Sequence, residues 1–215
     1  MLVLMTLNLL ACREDPGAPE YPDPAQSPGD TGSTDDDFLS GSEPYVEGEA
    51  RLSVGLFYEG GYSDRLEVDD QTRFYYIYDS TYTTAPDLDD RVEGYESEVL
   101  THSGKAWWGG GITWSEPTDL SDWTQLHISF KADADDWTDF DLAVTAGGVE
   151  ARVSAAAYGF TADGTWHHLT IPATAFSSQG ADMSAVTAPL VLVGEGGEAG
   201  QQLWVDDHFW TQEVE

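Results

Sequence analysis

Positive charge is scarce in this 215-residue chain, which has eight Lys and Arg against 40 Asp and Glu and a formal net charge of −32. That imbalance repels phosphate backbones and anionic membrane surfaces, so nucleic acid is excluded as a partner, while neutral glycans and divalent cations stay compatible. Cysteine is scarcer still. Cys12 stands alone, which excludes an internal disulfide and any multi-cysteine metal site. The apolar run Met1 to Ala11 falls well short of the roughly 20 residues that a permanent membrane-spanning helix needs. Catalytic signatures are missing too. The five histidines form no H-E-x-x-H pattern, and His167 and His168, on opposite faces of one strand, cannot chelate together. No G-x-S-x-G occurs. Gly194-Glu195-Gly196-Gly197-Glu198-Ala199 fits a dinucleotide fingerprint in letters, but a strand follows where a helix is required, so it reads as a hairpin loop. The chain therefore reads as a non-enzyme.

The N-terminus carries more information. Leu9-Leu10-Ala11-Cys12 resembles a bacterial lipobox, in which a signal peptide is cut before the cysteine and lipid is joined to its sulfur. The resemblance implies a signal peptide over Met1 to Ala11 and a lipid anchor on Cys12. Arg13 in place of Asp then favours the outer membrane or cell surface as the location. From Cys12 to Ala50 the chain holds six of its ten prolines and a surplus of acids. Such a stretch cannot bury enough apolar surface to offset the entropy of ordering, and it reads as an extended linker.

From Arg51 to Glu215 the pattern changes to short segments of period two. Leu52/Val54, Phe74 to Tyr78, Glu98 to Thr101, Trp107 to Trp114, Leu126/Ile128/Phe130, Phe140/Leu142/Val144, Val149/Ala151/Val153, Leu169/Ile171, Leu190 to Val193 and Leu203/Val205 all read as strands. The stretch Asp79 to Asp90 reads as a polar loop. Many strands at eight-to-twelve-residue spacing, with no amphipathic helix, predict an all-β antiparallel sandwich.

Two stretches carry a family resemblance. Asp163-Gly164-Thr165-Trp166 with Leu169-Thr170-Ile171-Pro172, Phe176 and Val205-Asp206-Asp207 matches the pattern "DGxW…hxhP…F…hDD", h being apolar. Trp108-Gly109-Gly110-Gly111, Pro117-Thr118-Asp119-Leu120-Ser121 and Leu126 to Lys131 supply a second set. Together they resemble carbohydrate-binding modules with a galactose-binding-like jelly roll. The resemblance implies a jelly-roll sandwich that binds carbohydrate or polysaccharide without transforming it. It also implies a structural Ca2+ held between an early acidic loop and the last strand, at Glu59, Asp206 and Asp207.

Sugars present flat C–H faces to aromatic rings and hydroxyls to planar polar groups, so a site needs exposed Trp or Tyr beside polar side chains. Trp107, Trp108, Tyr76 and Arg91 are the expected ligand-facing set, although neighbours on a strand face opposite ways and one of Trp107 and Trp108 should be core. Trp166 and Trp204 are expected to fill the sandwich. The expected protein is a monomeric surface lipoprotein that binds sugar; the alternative is a structural or protein-interaction lipoprotein of the same fold without a sugar site.

Overall fold

A computed structural model describes residues 49–54, 65–68, 73–92, 94, 96–133, 137 and 139–213. Cys12, Glu59, most of the linker and the signal-peptide reading lie outside them. Twelve strands run in order: β1 Glu49–Ser53, β2 Arg65–Val68, β3 Arg73–Ile77, β4 Tyr82–Asp87, β5 Ser97–His102, β6 Trp107–Trp114, β7 Gln125–Lys131, β8 Asp141–Ala146, β9 Val149–Ser154, β10 His167–Pro172, β11 Val186–Glu195 and β12 Gln202–Glu213.

They form two sheets, as the alternation of apolar positions requires. The five-stranded sheet has the order β3-β6-β11-β8-β9. The seven-stranded sheet runs β10-β7-β12-β1-β2, with β5 also paired to β12 and β4 to β5. Every described pairing is antiparallel except β1 with β2. The core is the shared inner face. Ile112, Leu142, Leu190 and Leu192 from one sheet meet Leu126, Ile128, Phe130, Leu169, Ile171 and Trp210 from the other.

β12 organises the larger sheet. One flank pairs with β7, while the other pairs with β5 over Gln202–Val205 and with β1 over Phe209–Glu213. The change of partner falls at a register shift between Asp206 and Phe209, where Asp207 takes φ 57°. A bulge supplies the local twist that lets one strand serve two neighbours. The Asp-Asp pair in the sequence is thus the bulge itself.

β4 occupies a stretch expected to be loop. Its polar Thr-Thr-Ala-Pro sequence suits a position paired through β5 alone, and Pro86 sits where no ladder bond need be donated. Trp166 and Trp204, expected in the core, lie instead against the outward face of the seven-stranded sheet and are only partly buried. Their indole N–H groups donate to Asp90 at 2.9 Å and Asp87 at 3.0 Å, and Lys131 lies 5.0 Å over the Trp204 ring while also pairing with Asp90. These contacts strap the β4–β5 connection across that face.

Candidate functional site

β6 carries Trp107-Trp108-Gly109-Gly110-Gly111-Ile112-Thr113-Trp114. Trp108, Ile112 and Trp114 are buried in the core, so the period of two turns Trp107, Gly109, Gly111 and Thr113 outward. Register then fixes what lies beside them. Across β11, Glu195 faces Trp107, Val193 faces Gly109 and Val191 faces Gly111. Further on, Asp141 and Ala143 of β8 face Val193 and Val191, and Ser154, Arg152 and Glu150 of β9 complete the rows. On the other side, Tyr76 of β3 faces Gly111 and Phe74 faces Thr113.

The outward face is therefore built in three bands. An aromatic edge holds Phe74 and Tyr76, with Tyr78 and Trp107 beside them; Phe74, Tyr78 and Trp107 are exposed. The Tyr76 and Tyr78 rings meet edge-on at 5.0 Å, and Tyr78 lies 6.0 Å from Trp107 at a tilt of 47°. A smooth floor comes next, made of Gly109, Gly111, Val191, Val193 and Ala143. The far edge is charged, where Arg152 pairs with Glu150 at 2.5 Å and reaches toward Asp141 at 4.0 Å.

Val191 and Ala143 are only 1% exposed and, with Ala188, form a small buried cluster apart from the main core, against which Val193 packs. Burial raises the Tyr76 phenol above its ordinary pKa, Tyr78 adds to the rise, and so does the Glu150 carboxylate from the opposite edge strand. A depression of about 340 Å3, lined by Asp139, Phe140, Asp141, Arg152, Val193, Gly194 and Glu195, lies between floor and charged edge.

Of the residues expected to face a ligand, Trp107 and Tyr76 do share this face. Trp108 does not. It is 1% exposed, with its ring 4.5 Å from Trp137 and 5.7 Å from Phe140 in the core. Arg91 is also elsewhere. Its Nε donates to the Gly94 carbonyl at 3.0 Å and its guanidinium reaches the Leu88 carbonyl, so it stitches together the strap over the other sheet. Tyr78, Phe74, Arg152, Glu150, Asp141 and the glycine floor were not in the expected set. The shared face of Tyr78 with Tyr76 is visible in the spacing; the charged edge depends on cross-sheet register and had no local signal.

Of the expected metal ligands, Glu59 lies outside the described residues, while Asp206 and Asp207 sit at the bulge of β12. Asp206 accepts the Val92 N–H at 2.6 Å through one carboxylate oxygen and the Asp207 N–H at 2.8 Å through the other. Asp207 turns instead toward His168 Nδ1 at 3.2 Å and Ser129 Oγ at 3.4 Å. Calcium is held by carboxylate oxygens that converge, and no group of three or more metal-ligating side chains forms among the described residues.

The domain has known relatives. The family model for carbohydrate binding domain 30 matches residues 52–212. Among solved structures, the fold is similar to the family 30 carbohydrate-binding module of a cellulosomal cellulase of Clostridium thermocellum. That match has a TM-score of 0.54 and 19% identity and covers 67% of this chain and 94% of that one. A second family 30 carbohydrate-binding module matches with a TM-score of 0.50 and 19% identity over 62% of this chain and 75% of its own. An exo-β-agarase matches with a TM-score of 0.51 and 12% identity, over 74% of this chain and 25% of the enzyme. At these identities the structural likeness speaks for the jelly-roll fold alone. No curated protein sequence matches significantly. The family model supplies the rest: the described domain is a non-catalytic carbohydrate-binding module, and the chain belongs to the carbohydrate binding domain 30 family.

Proposed function

We propose that the outward face of the five-stranded sheet binds an unbranched neutral polysaccharide, with sugar rings stacked on Trp107, Tyr78 and Tyr76. The observation that carries this reading is the three-band face itself. Exposed rings stand beside a floor without projecting side chains, opposite a polar edge able to take hydroxyl hydrogen bonds. The charge of the edge supports neutrality of the ligand. Glu195, Asp141 and Glu150 outnumber Arg152, whose guanidinium is already paired, so a uronate or sulfated chain would meet repulsion.

Family membership supports carbohydrate as the ligand class. The test is affinity electrophoresis of the protein through gels containing cellulose-derived, mixed-linked, agarose-type and polyuronate glycans. Retardation by a neutral glycan and none by a polyuronate supports the reading. Free migration in every gel moves the assignment to a protein-interaction surface.

The lipobox resemblance at Leu9 to Cys12 supports a second, separable part of the proposal: a lipid on Cys12 tethers the domain to a bacterial outer membrane through the acidic linker. Metabolic labelling with an alkyne fatty acid, present in the native chain and lost in Cys12→Ala, checks it.

A further inference from the structure

Tyr78 and Trp107 stand at the ends of two crossings between the sheets. The first crossing leads from β3 of the five-stranded sheet to β4 of the seven-stranded sheet over residues 78–81; the second leads back from β5 to β6 over residues 103–106. β4 and β5 pair antiparallel with Tyr82 opposite His102, so the two crossings run side by side. They are also bonded to each other. The Ser103 N–H and Oγ both donate to the Thr81 carbonyl, at 3.0 and 2.8 Å, and the buried Thr81 hydroxyl accepts the Gly109 N–H at 3.2 Å.

The backbone of the first crossing is unusual. Asp79 and Ser80 take φ 47° and 50°, and the Thr81 N–H donates to the Tyr78 carbonyl at 3.0 Å, which makes residues 78–81 a tight turn with both central residues left-handed. Turns of this kind favour Asn-Gly or Asp-Gly, because a Cβ crowds the backbone in that region. Asp79 suits its place, whereas Ser80 stands where glycine is preferred. Such a conformation persists only where its surroundings hold it. Lys105, in the second crossing, supplies a hold. Its Nζ donates to the Asp79 carboxylate at 2.8 Å and also to the Asp79 carbonyl, so one ammonium grips both side chain and backbone of the first central residue.

The turn decides where the Tyr78 ring goes. That ring lies over Gly109, where an added Cβ would come 3.3 Å from Tyr78 Cδ2 and 3.7 Å from Trp107 Cζ3. The two rings thus approach one bare Cα from either side, with centroids 6.0 Å apart, and Tyr76 continues the row 5.0 Å beyond Tyr78. Packing alone does not immobilise them, since Tyr78 and Trp107 each remain 43% exposed. A half-exposed ring left free to move charges an ordering cost to any ligand that stacks on it, and a ring already fixed by its backbone does not.

We propose that Lys105 is a positioning residue for the binding face: bonded to Asp79, it locks the turn that sets the Tyr78 ring beside Trp107, so that both rings meet a glycan as one preformed surface. The inference rests on the binding face assigned above and adds to it the residue that organises its aromatic edge. Lys105 acts through Tyr78 and not by touching the sugar. Its side chain is 39% exposed, so Lys105→Met, which keeps the length of the stem and removes the charge, should leave the fold intact.

The experiment uses the full chain and has two arms. Without ligand, NOEs between the Tyr78 and Trp107 ring protons are measured in the native protein, Lys105→Met and Lys105→Arg. The NOEs should be lost in Lys105→Met and restored in Lys105→Arg, which keeps a charged donor; NOEs of native strength in Lys105→Met overturn the proposal. With ligand, calorimetric titration uses an oligosaccharide cut from whichever neutral glycan retards the native chain in the gels. Lys105→Met should raise Kd about threefold to tenfold, the scale of ordering one side chain, and should add nothing in a Tyr78→Ala background. An equal rise in both backgrounds means that Lys105 touches the sugar itself, and overturns the positioning role. Failure of every glycan to bind overturns the binding face instead, and the ligand-free NOEs still decide what Lys105 does to the rings.

Discussion

Truncating Trp107 to alanine separates a ligand-stacking ring from a core ring more sharply than any other change to this protein, because its neighbour Trp108 is the built-in control. Trp107 keeps 43% of its surface exposed, which for a side chain of up to about 250 Å2 leaves on the order of 100 Å2 of ring for a ligand. A pyranose covering about half of that removes roughly 50 Å2 of apolar area from water, or about 1.2 kcal/mol at 25 cal/mol/Å2. Ring–C–H geometry adds about 0.5–1.5 kcal/mol if it behaves like other aromatic stacking. Trp107→Ala should therefore cost about 2–3 kcal/mol of glycan binding, a rise in Kd of roughly 30- to 150-fold. Folding stability should change by no more than about 0.5 kcal/mol, as for exposed positions generally. Trp108→Ala should do the reverse and lose about 3–5 kcal/mol of stability by opening a core cavity. Calorimetric titration gives Kd and thermal denaturation gives Tm. Unchanged affinity in a fully folded Trp107→Ala protein would refute the stacking argument.

Gly110→Ala places a Cβ 2.0 Å from the Tyr82 hydroxyl and 2.5 Å from the Tyr76 carbonyl, and should destabilise by about 1–3 kcal/mol, lowering Tm by several degrees in a thermal melt. Asp206→Ala leaves the Val92 and Asp207 amides without their carboxylate acceptor and should cost about 1–3 kcal/mol of stability, read from urea midpoints. Thermal melts with EDTA and then with added calcium test the metal expected at Glu59, Asp206 and Asp207: a Tm that falls with EDTA and recovers with calcium supports it, and an unchanged Tm counts against it. Acid should destabilise in a defined window. Burial lowers the His208 pKa to about 4 and that of His127, with help from His168 and Arg51, to about 3, so the native state holds both rings neutral. The unfolded chain takes up those protons from about pH 6.5 downward, so stability falls as pH drops from about 6.5 to 4, by about 3 kcal/mol for His208. His208→Asn should flatten the slope of Tm against pH, and an unaltered slope would count against the assignment.

Much of the fold was legible because it rests on period two. Leu126/Ile128/Phe130 and Leu169/Ile171 show their buried faces in the letters, and the structure buries all five. β4 was not legible because an edge strand paired through β5 alone can be polar and contain Pro86, the same composition as a loop. The site was half legible. Alternation shows that Trp107 and Trp108 must part ways, and shows Tyr76 sharing a face with Phe74 and Tyr78, but not which face looks outward. Arg91 was misplaced for a different reason. Its chemistry suits a sugar, yet its position depends on a connection that folds over the opposite sheet, where it serves carbonyls of its own loop. Arg152, Glu150 and Asp141 are far from Trp107 and Tyr76 in sequence order, and only the order β3-β6-β11-β8-β9 brings them to the same face. Trp166 and Trp204 looked like core residues because large aromatics usually are; their indole N–H bonds to Asp90 and Asp87 hold them on the outside.

The most direct test of the central claim is to locate the glycan by intermolecular NOEs between unlabelled neutral oligosaccharide and the isotope-labelled protein. Binding on the outward face of the five-stranded sheet predicts contacts from sugar protons to the Trp107 and Tyr78 rings and to the Val193 methyl groups. Contacts confined to Trp166 and Trp204 on the opposite sheet would contradict it.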